Sequence, residues 1–273
     1  MPTTPPNRDP ERSSPPSPWI QRLRQKKGFT LIEILTAVAI IATLSVLLFP
    51  AVTKVREMAN RAKSASNMRQ IALAYALYTS SSSRTRHLSP SKLQRDTKLG
   101  TTPQGFAEFL AKTTGLTEAS LWIIESDPAL SAFEAQGVLP ATIGYRDADN
   151  VFHLNPPWDT QIPIAYTIAI GHSPQAPAST TPLLWTRGLT PSGTWKKDSP
   201  WGGKGGHIAF LDGHVEFYHK LGPDEGQLLQ EDGSATIDYR DLISKENLLD
   251  SSHSNRPKNG TTENFPFIPP YKL

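Results

Sequence analysis

The sequence contains no cysteine, which excludes disulfide stapling, thiol nucleophiles and any zinc site built on thiolates. Charge is sparse as well: Asp, Glu, Lys and Arg make up 19% of the 273 residues, and the formal net charge is only +3. Even that excess is local. Residues 1 to 28 carry Arg8, Arg12, Arg22, Arg24, Lys26 and Lys27 against Asp9 and Glu11, and without them the net charge is −1. The basic pI of about 9.0 therefore belongs largely to one end of the chain and is no nucleic-acid footprint, so no nucleic-acid partner is expected. A mean hydropathy of −0.38 excludes a multi-span membrane protein, while six Trp argue against wholesale disorder. Proline is the exception to this sparseness. Its 25 residues predict long irregular connections. The length suits one folded domain plus a tether.

The one long apolar run is FTLIEILTAVAIIATLSVLLF, residues 29–49, whose 21 positions include a single ionisable group, Glu33. As a helix it spans about 31 Å, the thickness of a bilayer core. A secretory signal peptide fits poorly, because its apolar region is usually shorter, lacks an acid and ends at a small-residue cleavage site. A plain signal anchor explains the length but not Glu33, since an acid deep in lipid costs roughly 2.5–3.5 kcal/mol. Cutting the chain after Gly28 would supply a partner. The new α-amine of Phe29 would lie four residues before Glu33 on the same helix face. The two charges would then neutralise each other, within one chain or between neighbours.

The segment Lys26-Lys27-Gly28-Phe29-Thr30-Leu31-Ile32-Glu33 resembles the type IV prepilin processing motif, shared by pilins and by the pseudopilins of type II secretion. The resemblance implies a prepilin peptidase that cuts between Gly28 and Phe29 and methylates the new N-terminus at Phe29. It implies an assembly role for Glu33 and a helix-bending proline at Pro50. The partners it implies are other pilin or pseudopilin subunits and an inner-membrane assembly platform. It further implies a single-pass inner-membrane protein with a cytoplasmic N-terminus and a periplasmic C-terminal domain, entering a filament after assembly. Charge counting adds little: Arg22, Arg24, Lys26 and Lys27 precede the span, and Lys54, Arg56, Arg61, Lys63 and Arg69 follow it.

The chain then reads as a leader over 1–28, a membrane helix over 29–49 and an amphipathic continuation over 50–80. Val55, Met58, Ala62, Ala65, Met68, Ala72 and Tyr75 recur at helical spacing. One helix is expected from about 30 to 79, kinked at Pro50, with Ile71–Tyr78 buried on nearly every face. Residues 81–160 read as irregular, with short helices near 103–113 and 127–136 and with Trp122 and Trp158 as packing anchors. Residues 161–220 read as an antiparallel sheet, with strands at Ile162–Ile170 and Pro182–Arg187 and a hairpin over 206–219. Asp212-Gly213 predicts a two-residue type I′ turn. That register sets Phe210 opposite Val215 and Ile208 opposite Phe217. These four would then face the long helix, and His207, His214 and Glu216 the other side. Residues 221–273 read as an acidic, Pro-containing tail. The expected fold class is α+β, a long helix on a small antiparallel sheet, as in pilins. The hairpin also resembles the end of the prepilin-associated H-x9-DG domain as a variant: Asp212 and Gly213 match, but Gly202 stands where the motif has His.

Candidate chemistry is thin. His207, Asp212, His214 and Glu216 have the composition of a metal site, but Asp212 belongs to the turn, where a bond to nearby backbone explains it. No metal or other cofactor is expected there. Calcium enters only through the resemblance to major pseudopilins, at Asp224, Glu225, Glu231, Asp232 and Asp238; from the residues alone this stretch is a solvated charged loop. The glycines of 202–206 lack the order of a phosphate-binding loop. No Ser-His-Asp set stands out, and no enzyme is expected. The expected function is a prepilin-like structural subunit of a type IV pilus-like filament or a type II secretion pseudopilus. The alternatives are a minor tip subunit with a ligand-binding domain, and an uncleaved membrane-anchored enzyme or binding protein that keeps residues 1–28.

Overall fold

The structure, a computed structural model, describes residues 28–81, 87–135, 137–230 and 232–250. The stretch before Gly28, which the sequence reads as a leader, and residues 251–273 lie outside the described residues. The fold is α+β, a long N-terminal helix with antiparallel sheets. The chain divides into two compact units between Lys54 and Val55. Helix α1 (Leu31–Ser81) runs unbroken as one element with Pro50 inside it.

In the first unit, every large apolar side chain from Phe29 to Phe49 is more than half exposed. Burial of such a side chain is worth about 1.5–3 kcal/mol, so this stretch needs an apolar solvent. It forms the one helix among the described residues that is long and apolar enough to cross a membrane. Its hydroxyls are satisfied within the helix, as lipid requires: Thr43 Oγ1 donates to Ala39 O at 3.1 Å and Ser45 Oγ to Ile41 O at 2.7 Å.

In the second unit, Met68, Ile71, Ala72, Tyr75 and Tyr78 of α1 are buried in the main core. Leu73 and Leu77 are not: they are 54% and 58% exposed. The expectation of burial on nearly every face is corrected here, because residues four apart form one stripe and that stripe lies outward. Helices α2 (Pro90–Asp96), α3 (Pro103–Thr114) and α4 (Pro128–Glu134) each begin with proline behind a capping side chain, Ser89, Thr102 and Asp127. Phe106, Phe109 and Leu110 of α3 join the main core, as do Trp122 and Trp158.

Strands β1 (Gly144–Arg146) and β2 (Phe152–Leu154) pair as a small hairpin. The main sheet contains β3 (Tyr166–Ala169), β4 (Pro182–Thr186), β5 (Gly206–Phe210), β6 (Val215–Tyr218) and β9 (Leu248–Leu249) in the order β6-β5-β4-β3-β9, all antiparallel. Strands β7 (Leu228–Leu229) and β8 (Ala235–Thr236) pair with each other. β3, β4 and β5 are buried along their whole length, because both faces are covered. Tyr166, Ile168, Leu184 and Ala209 face the main core, and Trp185, Ile208 and Phe210 enter a second cluster with Leu221, Leu228 and Ile243. Residues 221–250 are thus part of the fold, where the sequence reads as a tail.

The hairpin differs from its expected register by one residue. Ala209 pairs with Val215, Ile208 with Glu216 and His207 with Phe217. Phe210 N–H donates to His214 O at 3.0 Å and Gly213 N–H to Phe210 O at 2.9 Å, which makes a three-residue loop, Leu211-Asp212-Gly213. A type I′ turn needs positive φ at both central residues. Gly213 has φ +88°, whereas Asn150 is the only non-glycine residue with positive φ among the described residues, so Asp212 does not qualify. A one-residue slip exchanges the faces. Ile208 and Phe210 therefore enter the second cluster, while Val215, Phe217 and His207 lie on the main-core side. His207 is 4% exposed, edge-on to Phe217 at 4.9 Å and to Trp201 at 5.9 Å. The Arg61 guanidinium of α1 caps Phe217 at 4.1 Å.

Candidate functional site

Two separate groups of residues carry the candidate chemistry. The first is the start of α1. Gly28, Phe29 and Thr30 precede the helix and are exposed. Thr30 Oγ1 accepts the Glu33 N–H at 3.3 Å, while Glu33 Oε2 accepts the Thr30 N–H at 2.8 Å and its hydroxyl at 2.8 Å. This reciprocal pattern is a capping box, and it satisfies donors that the first turn cannot satisfy from within. Both Thr30 bonds fall on Oε2, and Oε1 takes none among the described residues. The Thr-x-x-Glu spacing before an apolar run announces such a box, so Thr30 is a site residue that was readable in the sequence but missed.

Gly28 is not required by the fold. Its φ is outside the left-handed region, and a Cβ there would meet nothing within 4 Å. Phe29 is 82% exposed. The Gly28–Phe29 peptide bond is therefore open to an approaching enzyme, and it precedes the helix that starts at Leu31 and its backbone bond from Ile34 N–H to Thr30 O at 3.3 Å.

The second group is the β5–β6 turn. Asp212 Oδ1 accepts the His214 N–H at 3.0 Å and contacts its ring Nδ1 at 2.6 Å, and the His214 ring stacks on Phe210 at 4.2 Å. Burial pushes the Asp212 carboxyl up, but the His214 bonds outweigh it and hold the group below its ordinary range. The four residues of the weighed metal cluster are not brought together. Asp212 and His214 engage each other, Glu216 accepts the Tyr218 hydroxyl at 2.8 Å, and His207 lies on the opposite face from Glu216. Burial, with Arg61 adding to it, pulls the His207 pKa down to about 4. Gly202, at the motif's His position, has φ +62°, a conformation that favours glycine over a side chain with a Cβ.

In the acidic stretch, Glu225 accepts the Lys220 N–H at 3.1 Å, Asp232 accepts from Ser234 and Asp238 is held by Arg240. Glu231 lies outside the described residues. Among the described residues, no group of three or more His, Asp or Glu is arranged to hold a metal ion.

Residues 23–49 match the family model of the prokaryotic N-terminal methylation motif. No curated protein and no solved structure matches the chain. Over the matched segment, which leads into the long helix α1, the chain is prepilin-like.

Proposed function

We propose that the chain is a structural subunit that is cut between Gly28 and Phe29, methylated on the Phe29 amine and assembled with other subunits into a type IV pilus-like filament or a type II secretion pseudopilus. Residues 29–49 would hold it in the inner membrane, with the leader cytoplasmic and the C-terminal domain periplasmic. Its work is mechanical and draws on no cofactor. The observation that carries this reading is the pairing of the methylation motif with a glycine the fold does not need: Gly28 stands in open space beside an exposed junction. The demand for glycine then comes from the enzyme that reads the segment.

Hydrolysis at Gly28 ends the leader in a carboxylate and leaves an ammonium on Phe29, one residue before the capping box. Glu33 Oε2 stays committed to Thr30, and Oε1 is free to accept from that ammonium or from a neighbour's. A subunit stacked out of register leaves the acid unpaired in an apolar surround, so the pair selects the axial stagger. Glu33→Ala should enter the membrane as the parent does and be lost from sheared filaments. Gly28→Val should retain residues 1–28 and melt at the parent temperature. Normal filament yield from Glu33→Ala refutes the assembly role.

A further inference from the structure

At one end of the main sheet, where β3 gives way to Ile170 and β4 begins at Pro182, lies a cavity of about 470 Å³. Its charge is of one sign among the described residues: Asp232 and Asp241 line it, and no described Lys or Arg does. His172, also on its wall, donates its Nε2–H to Ala169 O at 3.2 Å. Burial pulls its pKa down to about 4, which leaves the ring neutral and Nδ1 an acceptor. Asp232 Oδ1 is taken by Ser234 and Asp241 Oδ2 by Thr236. The second oxygen of each acid, and the side-chain amides of Gln230 and Asn247, have no partner among the described residues. A cavity rich in free acceptors and without cations fits a donor that carries positive charge. Two carboxylates do not make a metal site, but they suit an ammonium whose aliphatic stem lies on Ile243.

The opposite end of the same sheet presents such groups. β4 is five residues long, about 17 Å. Just past its far end, Lys196 N–H donates to Gly188 O at 2.9 Å. The 219–221 segment after β6 is joined to this end through Leu221 N–H to Gly193 O at 2.7 Å. Lys196, Lys197 and Lys220 are exposed there and form no ion pair with a described residue.

We propose that the cavity is the docking site for a lysine side chain from this lysine-bearing end of a second copy of this chain. The lysines and the cavity lie at opposite ends of the sheet, so a copy's lysines do not fill its own cavity. A contact between unlike surfaces is heterologous; where its rotation does not close a ring it repeats indefinitely, which is the symmetry of a filament. The proposal rests on the filament reading above and adds to it a specific contact between globular domains.

The absence of native cysteine makes the test direct. The full chain carrying Lys197→Cys and Asp232→Cys, assembled in its own membrane and treated with a short bismaleimide, should give a ladder of multimers. The control pair Asp149→Cys and Asp232→Cys, with its first thiol on the β1–β2 hairpin, should give none. Lys196→Glu/Lys197→Glu and Asp232→Lys/Asp241→Lys should each lose filaments when expressed alone, with melting temperatures near the parent's, and regain them when expressed together. Equal ladders from both cysteine pairs, or parental filament yield from either charge-reversed chain alone, overturn the proposal. The N-terminal mass of the same sample keeps two failures apart. Filaments of chains beginning at Phe29 without a ladder overturn the docking alone, whereas chains that retain residues 1–28 overturn the filament reading and the docking with it.

Discussion

Glu33 and Asp127 are both acids in surroundings that disfavour charge, and the chain answers them in opposite ways. Glu33 is satisfied by a residue three positions away, through the Thr30 amide and hydroxyl. Asp127, whose side chain is 1% exposed, is satisfied from 60 residues away: Arg187 Nε donates at 2.8 Å, its Nη2 bonds as well, and the Ala129 N–H donates at 2.8 Å to cap α4. A helix in lipid has no tertiary neighbour until a second subunit arrives, so its polar groups must be met locally. A folded domain spends long-range contacts instead. What separates the two regions is therefore the range over which polar groups find partners.

The largest expected effect follows from removing the long-range partner. Asp127→Ala leaves the half-buried Arg187 guanidinium without its acid and α4 without its cap, which together cost about 3–5 kcal/mol. The full chain in detergent should melt far lower while remaining membrane-bound; an unchanged melt would erase the contrast. Next comes acid. His207 is neutral in the fold, its pKa pulled to about 4 from an ordinary 6.5 by burial and then by Arg61. The folded state thus binds fewer protons than the unfolded state. Its contribution, about 3 kcal/mol, is full above pH 6.5 and is lost as pH falls toward 4. A melting series across that window should fall for the parent and fall less steeply for His207→Leu, the remaining fall coming from His172, whose pKa burial also pulls down to about 4; parallel curves would remove His207 as a cause. The smallest effect is local. Thr30→Val removes the capping hydroxyl at about 0.5–2 kcal/mol. Amide exchange at Leu31–Glu33 should quicken with the domain melt unmoved, and slower or equal exchange would show that the box does not hold the helix start.

The features legible in the sequence are those set by short-range pattern. The apolar run, the Gly28–Phe29 junction and the helical spacing through Tyr75 all depend on neighbours a few residues apart. Thr30 was equally local, yet the reading of Glu33 as an unpaired acid passed over it. The hairpin shows where pattern stops. Asp-Gly serves a two-residue turn and a three-residue loop alike, and only the backbone at Asp212 separates them, so Ile208 and Phe210 lie on the face opposite the one expected while Val215 and Phe217 keep theirs. Strand β9 is two residues long and pairs with β3 from about 80 positions away, beyond any periodicity. Without it, and without Leu221, Leu228 and Ile243, the second face of the sheet reads as solvent-facing and residues 221–250 as a tail. The exposure of Leu73 and Leu77 is likewise set by which faces the domain covers.

The intact mass of the chain recovered from native membranes with its processing enzyme active is the most direct test. A polypeptide that begins at Phe29 and carries one added methyl group is the predicted result. A polypeptide that still carries residues 1–28 would contradict the account.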